Sequence, residues 1–255
     1  MTKIVLVTRP EGTWPALASR FSGTAIQLLF TPTTVQVDPI DPRPGDEALK
    51  DLNRFDWLIV TSGHGSSALA RRLAAPLPAG LRVAAVGPAT AKALEASGIL
   101  PDVVAGEASA SGLAKSLAPL RTAGSRVLVV RPEGGDNGLA GTLRAAGALV
   151  TEAPLYRTVA SEHAAALADA AVASRFAGVV FTAPSALRLW HEAAGAGGDA
   201  LMTALAVVRR VAIGATTAAY LAGAGLPADE TAQSPTELAV GDAITRAFVS
   251  LDLLT

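Results

Sequence analysis

Val127-Leu-Val-Val-Arg131-Pro-Glu-Gly134 nearly repeats Val5-Leu-Val-Thr-Arg9-Pro-Glu-Gly12, and the two copies stand about half a chain length apart. Each is a short apolar run, mostly β-branched, of the kind that forms a buried parallel strand, and each leads into an Ala/Leu-rich segment. Proline suits the first helical turn, where its missing N–H leaves nothing unpaired, and the glutamate after it meets the positive end of the helix dipole. A strand turning into a helix is therefore used twice.

Four further stretches repeat in the same order at a similar offset. Trp57-Leu-Ile-Val-Thr61-Ser62 matches Gly178-Val-Val-Phe-Thr182-Ala183, and Val83-Ala-Ala-Val-Gly87-Pro-Ala-Thr90 matches Val211-Ala-Ile-Gly214-Ala-Thr216-Thr217. Residues 110–114 match Pro235-Thr-Glu-Leu-Ala239, and Thr31-Pro32-Thr33-Thr34 matches Ala153-Pro154-Leu155-Tyr156. The agreement in order identifies an internal duplication.

At 255 residues, half of them apolar, the chain has material for two α/β cores. A net charge of −1 offers no basic field, which argues against nucleic acid as the partner. Without cysteine there is no disulfide, zinc thiolate or cysteine nucleophile, and the three histidines lack metal-ligand spacing, so no metal site is expected. The first strand is expected to begin near Lys3, leaving no room for a signal peptide, and no apolar run reaches the roughly 18 residues of a membrane span. A soluble, cytoplasmic, monomeric protein is the expectation.

Strands are predicted near 4–8, 26–30, 57–61, 83–86, 102–105, 127–131, 148–153, 178–182, 211–213 and 229–233, with helices between them. Alternation of this kind implies parallel sheets covered on both faces, and about five strands per half suggests two flavodoxin-like, doubly wound domains. The midpoint around Gly124 reads as an ordinary short turn. The stronger interruptions are Thr31-Pro32 through Gly45, with four prolines, and Ala153-Pro154 through Glu162, and proline there is extended and stiff. Cutting at these places predicts a discontinuous outer domain, 1–33 plus 161–255, and a middle domain, 39–153. Residues 34–38 and 154–160 would then form two hinge strands.

Ligands of open α/β sheets sit beyond the carboxyl ends of the strands. Those ends carry Thr8-Arg9, Thr61-Ser62, Gly87 to Thr90, the serines at 109 and 111, Arg131, Thr182 to Ser185, Gly214 to Thr217 and Ser234-Pro-Thr236. The set is rich in hydroxyls and poor in nucleophiles and strong acids or bases. Helix N-termini there would favour an anion, so two facing lobes would suit a ligand with many carboxylates, and Arg9 and Arg131 would add cations. The plainer readings are that each hydroxyl caps a helix, that the arginines cover strand ends, that His64 is a solvated loop residue and that Tyr156 is an edge-strand aromatic. No phosphate-binding glycine loop follows the first strand of either half, and no nucleophile elbow is present.

Taken in order, Val-Thr-Arg9-Pro, Leu-Ile-Val-Thr61-Ser62, Ala-Val-Gly87-Pro-Ala-Thr90, Pro154-Leu-Tyr156-Arg157-Thr158, Val-Phe-Thr182-Ala-Pro-Ser185, Ala-Ile-Gly214-Ala-Thr216-Thr217 and Gln233-Ser234-Pro235-Thr236 resemble the uroporphyrinogen-III synthase family over essentially the whole chain. The resemblance implies two flavodoxin-like lobes joined by a two-stranded ladder, with no cofactor. It implies cyclisation of the linear tetrapyrrole hydroxymethylbilane to uroporphyrinogen III, with loss of water and inversion of the last ring through a spiro intermediate. Transient contact with the upstream bilane synthase would follow. The family's hinge tyrosine, which assists departure of the hydroxyl, maps onto Tyr156. Its strand-end positions map onto Thr61, Ser62, Thr90, Thr182, Ser185, Thr216 and Thr217, and a basic position maps onto Arg209. The chain departs from the commoner pattern at Gly63-His64-Gly65 and at Ala183. The rival reading, from another class, is a two-lobed protein that binds a tetrapyrrole or other anionic small molecule without turning it over.

Overall fold

The computed structural model describes residues 2–105, 124–135 and 138–249. The stretch 106–123, which carries one repeat match and the serines at 109 and 111, lies outside the described residues. The elements run β1 (Lys3–Val7), α1 (Pro15–Phe21), β2 (Ile26–Phe30), β3 (Thr34–Val37), α2 (Arg43–Lys50), β4 (Trp57–Val60), α3 (Gly63–Arg72), β5 (Arg82–Ala85), α4 (Pro88–Ala96) and β6 (Val103–Val104). They continue with β7 (Arg126–Pro132), α5 (Gly138–Ala145), β8 (Leu149–Ala160), α6 (Ala164–Val172), β9 (Gly178–Phe181) and α7 (Pro184–Ala194). The last are α8 (Gly198–Ala206), β10 (Arg209–Ala212), α9 (Ala215–Gly223), β11 (Glu230–Thr231) and α10 (Glu237–Val249). This is the α/β class with parallel sheets that the alternation predicts.

The chain divides into two compact units, Met1–Val35 with Val159–Thr255, and Gln36–Thr158. It passes between them once within β3 and once within β8, and Gly124 lies inside the second unit. The predicted strand 148–153 and the stretch 154–160 form one strand, because the extended geometry proline enforces at Pro154 is itself a strand geometry.

Among the described residues the first unit holds the sheet β11-β10-β9-β1-β2, and the second the sheet β3-β8-β7-β4-β5-β6. In the first, parallel pairing sets Val5 beside Leu28 on one side and Gly178 on the other. In the second, Trp57 lies beside Val127 and Arg82. If the strand bearing Arg-Pro-Glu-Gly is counted as strand one of each repeat, both sheets read 2-1-3-4-5, with β3 added at one edge. The first unit takes strands one and two from the first repeat and strands three to five from the second, and the other unit takes the reverse. The repeats have exchanged halves, and for that reason the sequence midpoint is not a boundary.

Burial explains why these runs become central strands. Trp57, Leu58, Ile59 and Val60 are all buried, and period-two alternation sends Leu58 and Val60 into one core and Trp57 and Ile59 into another on the opposite face. β7 is sorted in the same way, Leu128 and Val130 against Val127 and Val129. In the first unit Leu6, Val179 and Phe181 join Trp190 on one face, and Val5, Val7 and Val180 join Phe21 and Phe248 on the other. Each such side chain contributes about 1.5–3 kcal/mol on burial. Gly45 lets α2 approach β8 closely, since a Cβ there would lie 2.8 Å from the Pro154 carbonyl oxygen. No helix among the described residues is long and apolar enough to cross a membrane.

Candidate functional site

Tyr156 lies on β8 with 5% of its surface exposed, and its ring joins the core of Leu58, Val60 and Leu155. Its hydroxyl is 2.8 Å from the Ser62 Oγ, across 94 residues of sequence. Ser62 is the N-cap of α3, and its Oγ accepts a hydrogen bond from the Gly65 N–H at 3.0 Å. Burial pushes the Tyr156 phenol above its ordinary value, and the hydrogen bond to Ser62 opposes that shift without cancelling it. The phenol therefore keeps its proton at neutral pH. His64 belongs to the first turn of α3 and not to a loop; its ring centroid lies 6.2 Å from that of Tyr156.

Tyr156 and Ser62 line a cavity of about 290 Å³ within the second unit, walled also by Thr61, Val86, Leu139, Arg131 and Glu152. Glu152 binds two arginines, Arg131 and, at 2.8 Å, Arg144. Burial of the Glu152 carboxyl works against its charge, but the hydrogen bonds and charges of Arg131 and Arg144 outweigh it and hold its pKa below the usual carboxylate value. Arg131 also donates to the carbonyl oxygens of Pro132 and Gly135. It is thus fixed as part of the wall by its own acid, which sequence reading missed because Arg131 and Glu152 sit on different strands.

Thr61 and Thr182 play one structural part in both units. Thr61 Oγ1 donates to the Val130 carbonyl at 3.0 Å, and Thr182 Oγ1 donates to the Thr8 carbonyl at 2.9 Å. Neither caps a helix. Their hydroxyl protons are engaged, so both offer a ligand acceptor lone pairs only, which a carboxylate cannot use. Of the hydroxyls expected as caps, Ser62 caps α3 and Thr236 caps α10 among the described residues. The N-caps of α4, α7 and α9 are Gly87, Ala183 and Gly214, and α10 takes a hydrogen bond from the Ala239 N–H to Thr236 Oγ1 at 3.3 Å. Ser234 Oγ sits 3.1 Å from Thr236 Oγ1. Thr90 and Thr217 are buried in the first turns of α4 and α9, Thr216 is exposed, and Ser185 is half-buried in the first turn of α7.

The two arginines Arg209 and Arg9 stand at opposite ends of their strands. Arg209 opens β10, at the amino end of the strand and away from the carboxyl ends, and pairs with Asp229 at 3.0 Å. It is therefore not at the edge where a ligand would meet it. Arg9 does stand at a carboxyl end, with its guanidinium 4.3 Å from the Trp14 ring centroid and its buried Nε without a partner. Burial lowers its pKa, against the pull of Glu237, yet a guanidinium remains charged.

The family model described as Uroporphyrinogen-III synthase HemD matches residues 15–240. The chain is 32% identical over 161 residues to the uroporphyrinogen-III synthase of Synechococcus elongatus, an alignment that spans 61% of this chain and 61% of that relative. In fold it resembles the crystal structure of a mutant uroporphyrinogen III synthase from Thermus thermophilus, with a TM-score of 0.68 at 22% identity, covering 98% of this chain and 100% of the other. It likewise resembles the Helicobacter pylori uroporphyrinogen-III synthetase, with a TM-score of 0.59 at 19% identity and coverage of 99% and 100%.

Proposed function

The chain belongs to the uroporphyrinogen-III synthase family, and from that premise we infer that it closes the linear tetrapyrrole hydroxymethylbilane to uroporphyrinogen III, releasing water and inverting the last ring. The observation that carries this reading for the residues present is Tyr156, a protonated phenol held in a cavity at the small end of the ligand-pocket range of about 300–1,000 Å³. Such a cavity takes part of a tetrapyrrole, and the part that needs a proton donor is the hydroxymethyl end.

The chemistry asks little of the protein. An electron-rich pyrrole expels the hydroxyl as its nitrogen lone pair fills the vacated bond, and Tyr156 supplies the proton with which that oxygen leaves as water. The substituted carbon of the last ring attacks the resulting cation, giving the spiro intermediate. Opening and reclosure place that ring inverted, and the proton lost on restoring the final pyrrole returns to the phenolate. Free closure attacks the unsubstituted position and yields the type-I isomer. The enzyme's contribution is positioning, together with shielding the cation from water.

Incubating the protein with hydroxymethylbilane and separating the products tests the reading. Uroporphyrinogen III in excess over the type-I isomer supports it. Type-I product alone, with tight binding of the bilane, would establish a binding protein.

A further inference from the structure

We propose that Ser62 is a positioning residue for this reaction: it holds the Tyr156 oxygen by donating to it, so that the phenol's proton faces the cavity and the phenolate formed on proton transfer is stabilised. The proposal rests on the reading of Tyr156 as the proton donor.

The geometry forms a directed chain. A serine hydroxyl has one proton to donate and two lone pairs. The Gly65 N–H already donates to Ser62 Oγ at 3.0 Å, and the acceptor within reach of the serine proton is the Tyr156 oxygen at 2.8 Å. Aligned as Gly65 N–H to Ser62 O–H to Tyr156 O–H, each bond polarises the next, and the last proton is left for the departing hydroxyl of the substrate. Once that hydroxyl has taken the proton and its C–O bond has broken, the phenolate has no proton left to donate. The Ser62 O–H, 2.8 Å away, is placed to bond to it. The chain starts at the amino end of α3, whose partial positive charge favours negative charge building on the tyrosine.

The duplication supplies an internal control. In the other unit the position of Ser62 is Ala183, and that of Tyr156 is Thr34. α7 starts at Ala183 with no side-chain cap, so a helix at this place in the fold forms without the hydroxyl. The bond the architecture does use, from Thr61 or Thr182 to the neighbouring strand, is present in both units. The Ser62–Tyr156 bond is present in one, where the cavity is.

Two tyrosines, Tyr156 and Tyr220, make up the complement, so a Tyr220→Phe background leaves Tyr156 as the single phenol. With 3-fluorotyrosine incorporated to bring ionisation into a gentle pH range, phenolate absorbance titrates that one group. Ser62→Ala is expected to raise the midpoint by about one pH unit and to lower kcat about tenfold with KM nearly unchanged, the size of one lost hydrogen bond to a charged oxygen. Ser62→Thr, which keeps hydroxyl and cap, is expected to restore both. In a Tyr156→Phe background Ser62→Ala is expected to add nothing. An unmoved midpoint would overturn the proposal, as would a kcat within twofold of wild type, or an equal loss of turnover in the Tyr156→Phe background. Full activity of Tyr156→Phe alone would instead remove Tyr156 as donor, while the midpoint shift would still report the hydrogen bond.

Discussion

Thr8 and Thr182 bind each other reciprocally across β1 and β9: Thr182 Oγ1 donates to the Thr8 carbonyl at 2.9 Å, and Thr8 Oγ1 accepts from the Thr182 N–H at 3.1 Å while donating to the Val180 carbonyl at 3.0 Å. The other unit keeps one of these bonds, from Thr61 to Val130, in a place where a valine stands for Thr8. Removing either donor should therefore affect folding more than substrate. Thr61→Val and Thr182→Val are each expected to cost about 1 kcal/mol in urea unfolding, the net value of a partly buried hydrogen bond, with KM for the bilane close to wild type. A tenfold rise in KM with unchanged stability would return these hydroxyls to the binding surface.

Tyr156→Phe removes one oxygen from a buried ring, so packing with Leu58 and Leu155 survives. Turnover is expected to fall about a hundredfold, the lower range for a lost general acid. The raised pKa fixes the sign of the pH effects. The protonated phenol is the form that folding favours and, on the proposed role of Tyr156, the active form. Rate and stability contributions should hold at neutral pH and decline only as pH rises above about 10, through the folded-state value. A rate that falls between pH 7 and 9 and keeps falling there in Tyr156→Phe would assign the titration to another group.

Glu152 joins Arg131 and Arg144, and its depressed pKa means that its contribution is present above the unfolded carboxylate value and is lost as pH falls through the folded one. Glu152→Gln is expected to cost on the order of 1–2 kcal/mol at pH 7, less than the roughly 3–5 of a fully buried pair, because it leaves Arg131 beside the cavity without its acid. The difference from wild type should shrink towards pH 3. A pH-independent difference in urea midpoints would mean that the charge contributes nothing.

The repeat around Arg9 and Arg131 and the proline-bearing stretches were readable because buried parallel strands and extended segments leave local signals. The exchange of halves between sheets needs pairing information, β1 with β9 and β4 with β7, which no local signal carries. The site was readable as residue types at strand ends but not as partners. Ser62 and Thr61 are adjacent hydroxyls of similar propensity; one bonds to a tyrosine 94 residues away and the other to a carbonyl 69 residues away. Arg209 was legible as a basic residue ahead of an apolar run, but its partner Asp229, 20 residues further on, was not, because no local signal pairs the two.

Substitution at Gly65 separates packing from the role proposed for Ser62. A Cβ there would lie 3.3 Å from both Ser62 Oγ and Val130 Cγ1 and 3.4 Å from Val60 Cγ1. The two valines are fully buried on central strands and have no room to retreat, whereas Ser62 is half-buried at a helix start. The added methyl should therefore displace the serine. In stability, the gain of about 0.5–1 kcal/mol from replacing glycine inside a helix opposes an overpacking cost of about 1–3, leaving a small net loss. Turnover has no such compensation, since a few tenths of an ångström at Ser62 lengthens its bond to Tyr156. Gly65→Ala is expected to lose at most about 2.5 kcal/mol in urea unfolding and to lower kcat about tenfold, with a larger share of type-I product released. Wild-type kcat in this variant would show that the Ser62–Tyr156 contact tolerates displacement, and a loss of stability alone would assign Gly65 to packing.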